Sequence, residues 1–303
     1  MGRTNKFTGV NSIKFNRAFS NDNDCYQYLA EIKWDEGYSC RKCGHTNYCK
    51  GKKTFSRRCT RCKFDESTTA GTMFDKCKFP LLTAFHIVFK IATKKKGMSS
   101  LELSHEFELR QMTCWEFKWK IQQAMQSTDN YPLEGVVCVD EFFIGGEEEG
   151  KRGRSKGKKK LVIVAVEIVD GGMGRAYAKV IKNASYKSFE PFFSAHISKD
   201  SRIITDQWTG YIPLKKDYPG LEQVKSDKGK GMPEIHNHIM NLKGWLRGIH
   251  HHCTEERLQG YLNEFHYRNN RRGNMEGIFD NLIKRMVKYK PMRLNTIDLD
   301  SAT

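Results

Sequence analysis

Two Cys-x-x-Cys pairs, Cys40/Cys43 and Cys59/Cys62, stand fifteen residues apart. Each pair lets a tight turn aim two thiolates at one ion, and two such turns complete a tetrahedral four-sulfur site for Zn2+. Residues 37–75 around them are rich in Cys, Gly, Lys and Thr and poor in large aliphatics. Such a segment needs the metal to fold, so it predicts a zinc ribbon. A redox role is the rival reading of any Cys-x-x-Cys, but two copies flanking a Lys-rich hairpin favour a structural site. His45 and Cys49 lie inside the loop as bystanders, His45 being the substitute ligand if one turn is built differently. Cys25, Cys77, Cys114, Cys138 and Cys253 have no ligand spacing and read as packing residues.

The chain carries 52 Lys and Arg against 35 Asp and Glu, a formal charge of +17 over 303 residues. That excess points to a polyanionic partner, because basic side chains gain affinity by releasing counterions condensed on phosphates. With 38% hydrophobic residues the chain has enough apolar material for real cores, which argues against wholesale disorder. No apolar run reaches the length of a membrane span. The basic N-terminus lacks the apolar centre of a secretory signal, and Lys6 stands where a myristoylation pattern needs Ser or Thr. We therefore expect an intracellular protein: cytoplasm or nucleoid if prokaryotic, nucleus if eukaryotic. No membrane association is expected.

Four segments follow: a lead-in over 1–36 with a short amphipathic helix at 21–34, the ribbon at 37–75, a helical segment at 76–130, and a catalytic-size domain at 131–295. In the helical segment, FPLLTAFHIVF (79–89) spaces its apolar groups helically, Ser99 and Ser100 cap a second helix through Phe107, and a third follows a turn at 110–112. Three short helices with tight connections suit a helix-turn-helix, with Arg110, Gln111, Thr113 and Lys118 as candidate groove-facing residues. From Gly135 the pattern becomes strands: VVCVD (136–140), LVIVAVEI (161–168) and RAYAKVI (175–181). A helix over 186–197, a strand RIITD (202–206), a short strand over 221–224 and then helices complete the order. The fold class is mixed α/β, with ribbon and helix-turn-helix ahead of an RNase H-like domain that has a helical C-terminus.

Asp140 closes the strand at 136–139 and Asp206 closes the strand at 202–205. Carboxylates at the ends of buried strands can be held rigidly in a cleft, and two together can hold the hard divalent ions of phosphoryl transfer, two Mg2+ or Mn2+. Glu141 points to the opposite strand face if the strand continues. Lys151, Arg152, Arg154, Lys156 and Lys158 form a basic stretch beyond Asp140, and Lys42, Lys50, Lys52, Lys53, Arg57, Arg58, Arg61 and Lys63 surround the ribbon. Lys243 and Arg247, one turn apart, could clamp a phosphate. Arg268, Arg271 and Arg272 are expected to face DNA, and His250, His251 and His252 to touch phosphate or form a packed corner.

The motifs TFSRRCTRCKF (54–64), TAGTMF (69–74), VDEFFIGG (139–146), TDQW (205–208), NLKGWLRG (241–248) and EFHYRNNRR (264–272) follow one another along the chain. In that order they resemble the zinc-ribbon insertion-sequence transposases, to which the eukaryotic Merlin transposases are similar. The resemblance implies a DDE-type site whose third member is Glu in some branches and Asn in others, here Asp140, Asp206 and Asn241, all three ligands of the catalytic Mg2+. Glu234 ranks next for the third place and His238 after it. It also implies a DNA transposase that binds double-stranded terminal inverted repeats and target DNA, hydrolyses and rejoins phosphodiesters, and acts as a homo-oligomer on DNA. A domesticated DNA-binding derivative, or a zinc-ribbon nuclease that cuts without joining, are the alternatives.

Overall fold

The computed structural model describes residues 6–128, 130–145, 159–170, 172–225, 227, 231–250 and 253–292. The chain forms two compact units, residues 1–125 with 273–303, and residues 126–272.

In the first unit, α1 (Ser12–Ala18) and α2 (Asp22–Lys33) begin at asparagine caps, Asn11 and Asn21; the second is a full capping box with Asp24. The ribbon is a three-stranded antiparallel sheet of β1 (Tyr48–Lys50), β2 (Arg57–Cys59) and β3 (Asp65–Glu66). Three helices follow: α3 (Leu81–Thr93), α4 (Ser100–Phe107) and α5 (Gln111–Ala124). A Ser99/Glu102 capping box starts α4, and Glu108 ends it in the left-handed region at φ 52°. The α4–turn–α5 pair is the expected helix-turn-helix. A last helix, α9 (Ile278–Lys288), packs with this unit rather than with the sheet domain. Its Phe279 joins Phe7, Phe15, Phe19, Phe85 and Phe89 in one aromatic cluster with centroids 4.3–6.2 Å apart. The catalytic domain expected over 131–295 is, as a compact unit, closed at Arg272.

The second unit is built on a five-stranded sheet ordered β6-β5-β4-β7-β8. Its strands are β4 (Val136–Ile144), β5 (Lys160–Val169), β6 (Gly172–Ile181), β7 (Arg202–Thr205) and β8 (Leu221–Gln223). β4, β5 and β6 run antiparallel in sequence, while β7 and β8 add in parallel beside β4. This is the RNase H-like arrangement the element order predicts.

Side chains alternate across the sheet. Val137, Val139, Ile163 and Ile203 face α6 (Tyr186–His196) and a 3-10 helix at Thr209–Lys216. Cys138, Phe142, Val162, Val164 and Ile204 face α7 (Pro233–Ile249) and α8 (Glu255–Asn269). β4 does not stop at Asp140 as the sequence suggests. It runs to Ile144 because residues 141–144 pair with Lys160–Ile163 of β5, so Asp140 sits within the strand.

Candidate functional site: a four-cysteine ribbon and two aspartates at the middle of the sheet

The sulfurs of Cys40, Cys43, Cys59 and Cys62 lie within 4.8 Å of one another. Cys40–Cys62 is 3.5 Å and Cys43–Cys59 is 3.7 Å, near the ~3.8 Å edge of a tetrahedron with ~2.3 Å zinc–sulfur bonds. Both pairs use the same turn. Gly44 N–H donates to the Cys40 carbonyl at 2.8 Å and Lys63 N–H to that of Cys59 at 3.1 Å, with Gly44 at φ 72° and Lys63 at φ 60°. Burial pushes the Cys40 thiol up, but the amides of Lys42 and Cys43 and the neighbouring thiols outweigh it and bring it down to about 6. Cys59 is lowered in the same way by the amides of Cys62 and Arg61 against its own burial. At Cys62 the Phe64 amide lowers the thiol, but burial and the neighbouring thiols outweigh it and raise it to about 11, so Cys40 and Cys59 are the two thiols biased toward the thiolate, the form zinc binds. His45 and Cys49 are bystanders, bonded to Thr60 Oγ1 and the Arg58 carbonyl.

Helix α2 belongs to this site, although its residues read as a separate lead-in. Lys33 Nζ meets buried Glu66 of β3 at 2.8 Å and donates to the Ser67 and Ala70 carbonyls. Trp34 and Tyr38 pack against Cys40 and Cys59. Arg57 lies over the rings of Trp34 at 4.4 Å and Tyr48 at 4.1 Å, so its guanidinium braces the ribbon. Lys42, Lys50, Lys52, Lys53, Arg61 and Lys63 are exposed.

In the second unit, β4 and β7 pair in register from Val136–Arg202 to Cys138–Ile204. Asp140 lies two residues further along β4, and Asp206 two residues past Ile204, just beyond the end of β7 at Thr205. By alternation Asp140 shares the face of Cys138 and Phe142, which is covered by α7 and α8. Asp140 Oδ1 accepts from Glu141 N–H at 2.8 Å, and Asp206 Oδ1 accepts from Trp208 N–H at 3.0 Å. The side chain of Asp140 is 13% exposed. Trp208 Nε1 donates to the Ala184 carbonyl at 2.7 Å, and Gln223 Nε2 donates to the carbonyls of Asp206 and Trp208. The loop bearing Asp206 is thus tied on two sides.

Helix α7 brings His236, Lys243 and Glu234 to β4. His236 Nδ1 is 3.9 Å from Asp140 Oδ2, and its buried Nε2 has no hydrogen-bond partner among the described residues. Lys243 Nζ lies 5.2 Å from the Phe142 ring centroid. Burial and Arg247 lower the Lys243 ammonium while Asp140 opposes them. Burial, helped by the Glu234 carboxylate, raises the Cys138 thiol to about 11. Asn241 is exposed, and five residues turn a helix by about 140°, which separates it from the His236 side. His238 points into the α7–α8 packing, where its Nε2 meets that of His266 at 3.1 Å. Position 236 carried no distinguishing signal in sequence beyond being a histidine at a helix start.

Residues 132–270 match the ISXO2-like transposase domain, and residues 20–64 match a transposase zinc-ribbon domain. Together the matches span more than half of the chain. The chain belongs to the zinc-ribbon insertion-sequence transposases. The ribbon match begins just ahead of α2, in keeping with that helix's place against the cysteine cluster. No curated protein matches. Two solved structures are similar: the Mos1 strand transfer complex, at 10% identity and a TM-score of 0.29 over 68% of this chain and 78% of that one, and a pre-cleavage Mos1 transpososome, at 9% and 0.27 over 67% and 78%. Likeness this slight carries no argument for this transposase.

The other basic residues of the transposase divide by environment. Arg268 does not face outward as expected: it is buried and pairs with buried Glu264 at 2.7 Å. Arg272 donates to the carbonyls of Gly174, Asn269 and Met173, and Arg271 stacks 3.8 Å over Tyr267 and donates to its carbonyl. Arg247 is exposed. Lys118 is also buried, donating to the Met98 carbonyl, whereas Arg110 and Gln111 stay exposed at the start of α5. Lys151, Arg152, Arg154, Lys156 and Lys158, with His251 and His252, lie outside the described residues. No helix is long and apolar enough to cross a membrane among the described residues.

Proposed function

We propose that this transposase cuts and rejoins DNA at Asp140 and Asp206, after docking terminal inverted repeats on the ribbon and helix-turn-helix. The observation that carries this reading is the parallel pairing of β4 and β7, with Asp140 and Asp206 each two residues past its last paired rung. The two carboxylates are a fitting donor set for Mg2+ or Mn2+, which take oxygen ligands. Bound there, the ions would supply positive charge where negative charge develops on the phosphoryl oxygens. Asp140 and Asp206 would hold them. Lys243 and Arg247, on the same side of α7, would orient the phosphate. For the third group, the geometry favours His236 over Asn241, since His236 is the α7 side chain beside Asp140.

The exposed lysines and arginines of the ribbon, and Arg110 and Gln111 at the start of α5, support DNA contact by the first unit. Water would release the 3′ ends of the element, and those hydroxyls would then attack target phosphodiesters. Joining two ends calls for at least two copies of the chain on DNA. Four cysteine thiolates would hold a structural Zn2+.

The test is strand transfer in vitro, with DNA carrying the inverted repeats that flank the gene, a plasmid target, and Mg2+ or Mn2+. Joined products that disappear in Asp140→Ala and Asp206→Ala support the reading. His236→Ala and Asn241→Ala then rank the third group. Binding without cleavage in either metal would instead identify a DNA-binding derivative.

A further inference from the structure

Glu141 adjoins Asp140 on β4, so its side chain turns to the α6 face of the sheet. That face is lined by Val139, Phe143, Phe189 and Phe193. A carboxylate in such a setting is costly unless it is hydrogen-bonded. Tyr211, fully buried in the 3-10 helix that follows Asp206, donates its hydroxyl to Glu141 Oε2 at 2.6 Å. Its ring stacks on Phe189 at 4.5 Å and 11°. Burial first, then Glu141, and then Asp140 and Asp206 hold the Tyr211 phenol well above its ordinary value, so it keeps its proton at any working pH.

The β4–β7 ladder is registered only from Val136–Arg202 to Cys138–Ile204. Asp140 and Asp206 both lie two residues past its last rung. Gln223 ties Asp206 to β8, and Trp208 ties the loop to Ala184. The Tyr211–Glu141 bond runs from the 3-10 helix behind the Asp206 loop to the residue beside Asp140.

We infer that Tyr211 and Glu141 form a clamp, on the face opposite the two aspartates, that fixes the Asp140–Asp206 spacing and so sets the affinity for the divalent ion. Both are positioning residues, and the inference rests on the function proposed above. Tyr211→Phe keeps the ring on Phe189 and removes the donor. Glu141→Gln keeps a carbonyl oxygen to accept the bond; Glu141→Leu does not.

The experiment is a Mn2+ titration of the zinc-loaded full chain, followed by the paramagnetic resonance of free Mn2+, with thermal unfolding and DNA binding measured alongside. Tyr211→Phe and Glu141→Leu should each weaken Mn2+ binding about 10-fold, as loss of an outer support of metal ligands does. DNA affinity should not change. Glu141→Gln should stay close to wild type, and the double variant Tyr211→Phe/Glu141→Leu should be no worse than either single one. Wild-type Mn2+ affinity in a folded Tyr211→Phe chain overturns the clamp. So does a Glu141→Gln chain as weak as Glu141→Leu, because Glu141 would then act through its charge. If Asp140→Ala binds Mn2+ as well as the wild type, the aspartate site itself is wrong, an outcome distinct from failure of the clamp alone and overturning both.

Discussion

Tyr28 donates its hydroxyl to Asp280 Oδ1 at 2.7 Å, joining residues 252 positions apart inside the first unit. The same hydroxyl accepts from Phe7 N–H at 3.1 Å, and Asp280 Oδ2 meets Lys284 at 3.0 Å. Tyr28→Phe leaves the buried acid and the Phe7 amide each short of a partner. It should cost roughly 1–3 kcal/mol, read as a shift in the denaturation midpoint of the first unit. An unchanged midpoint would show that the C-terminal helix contributes little there.

The ribbon should hold one zinc per chain, by metal analysis of protein purified without added metal. Cys59→Ser should lose it, and chelation should make residues around the ribbon sensitive to protease while leaving the sheet domain resistant. Retention of zinc by Cys59→Ser would move the ligand set elsewhere.

Acid should destabilise the sheet domain through a buried histidine pair. Burial lowers His238 to about 3, with help from His266 and Arg272, and burial lowers His266 to about 4. Both stay neutral in the folded state and take up protons on unfolding once pH falls below their ordinary value of ~6.5. The stability they contribute is therefore complete above that pH and is lost as pH falls toward 4 and 3. His238→Gln should flatten the fall in stability between pH 6.5 and 4, measured by urea denaturation at stepped pH. An unchanged slope would contradict the assignment.

Arg268 separates support of the fold from DNA contact. Removing it breaks the ion pair with Glu264, which has no exposed surface, so Arg268→Met should cost about 3–5 kcal/mol. Arg247→Ala, at an exposed position, should leave stability alone and lower the salt dependence of DNA binding by about one unit of slope. Unfolding curves and binding at several salt concentrations distinguish the two.

The parts written in local pattern were legible without coordinates. The cysteine spacing gave the ribbon, runs of β-branched residues gave β4, β5 and β7, and Asn21 and Ser99 marked their helix starts. What depended on distant pairing was not. β4 extends beyond Asp140 because β5 returns alongside it, and α2 serves the ribbon because Lys33 finds Glu66. Lys118 and Arg268 look like surface cations in sequence, yet tertiary packing buries Lys118 against the Met98 carbonyl and Arg268 with Glu264 one turn back. Asn241 is placed by resemblance to a motif, and nothing in that motif marks His236, whose ring lies 3.9 Å from Asp140. Glu141 was expected on the opposite face, but nothing in the sequence indicated that Tyr211 would bind it.

The central claim is that Asp140 and Asp206 share the divalent ions of DNA cleavage. Thiolate substitution with a metal switch tests it most directly. Asp140→Cys and Asp206→Cys should bind inverted-repeat DNA normally, fail to cleave it in Mg2+, and recover cleavage in the more thiophilic Mn2+. Full cleavage in Mg2+ by either variant would contradict the account.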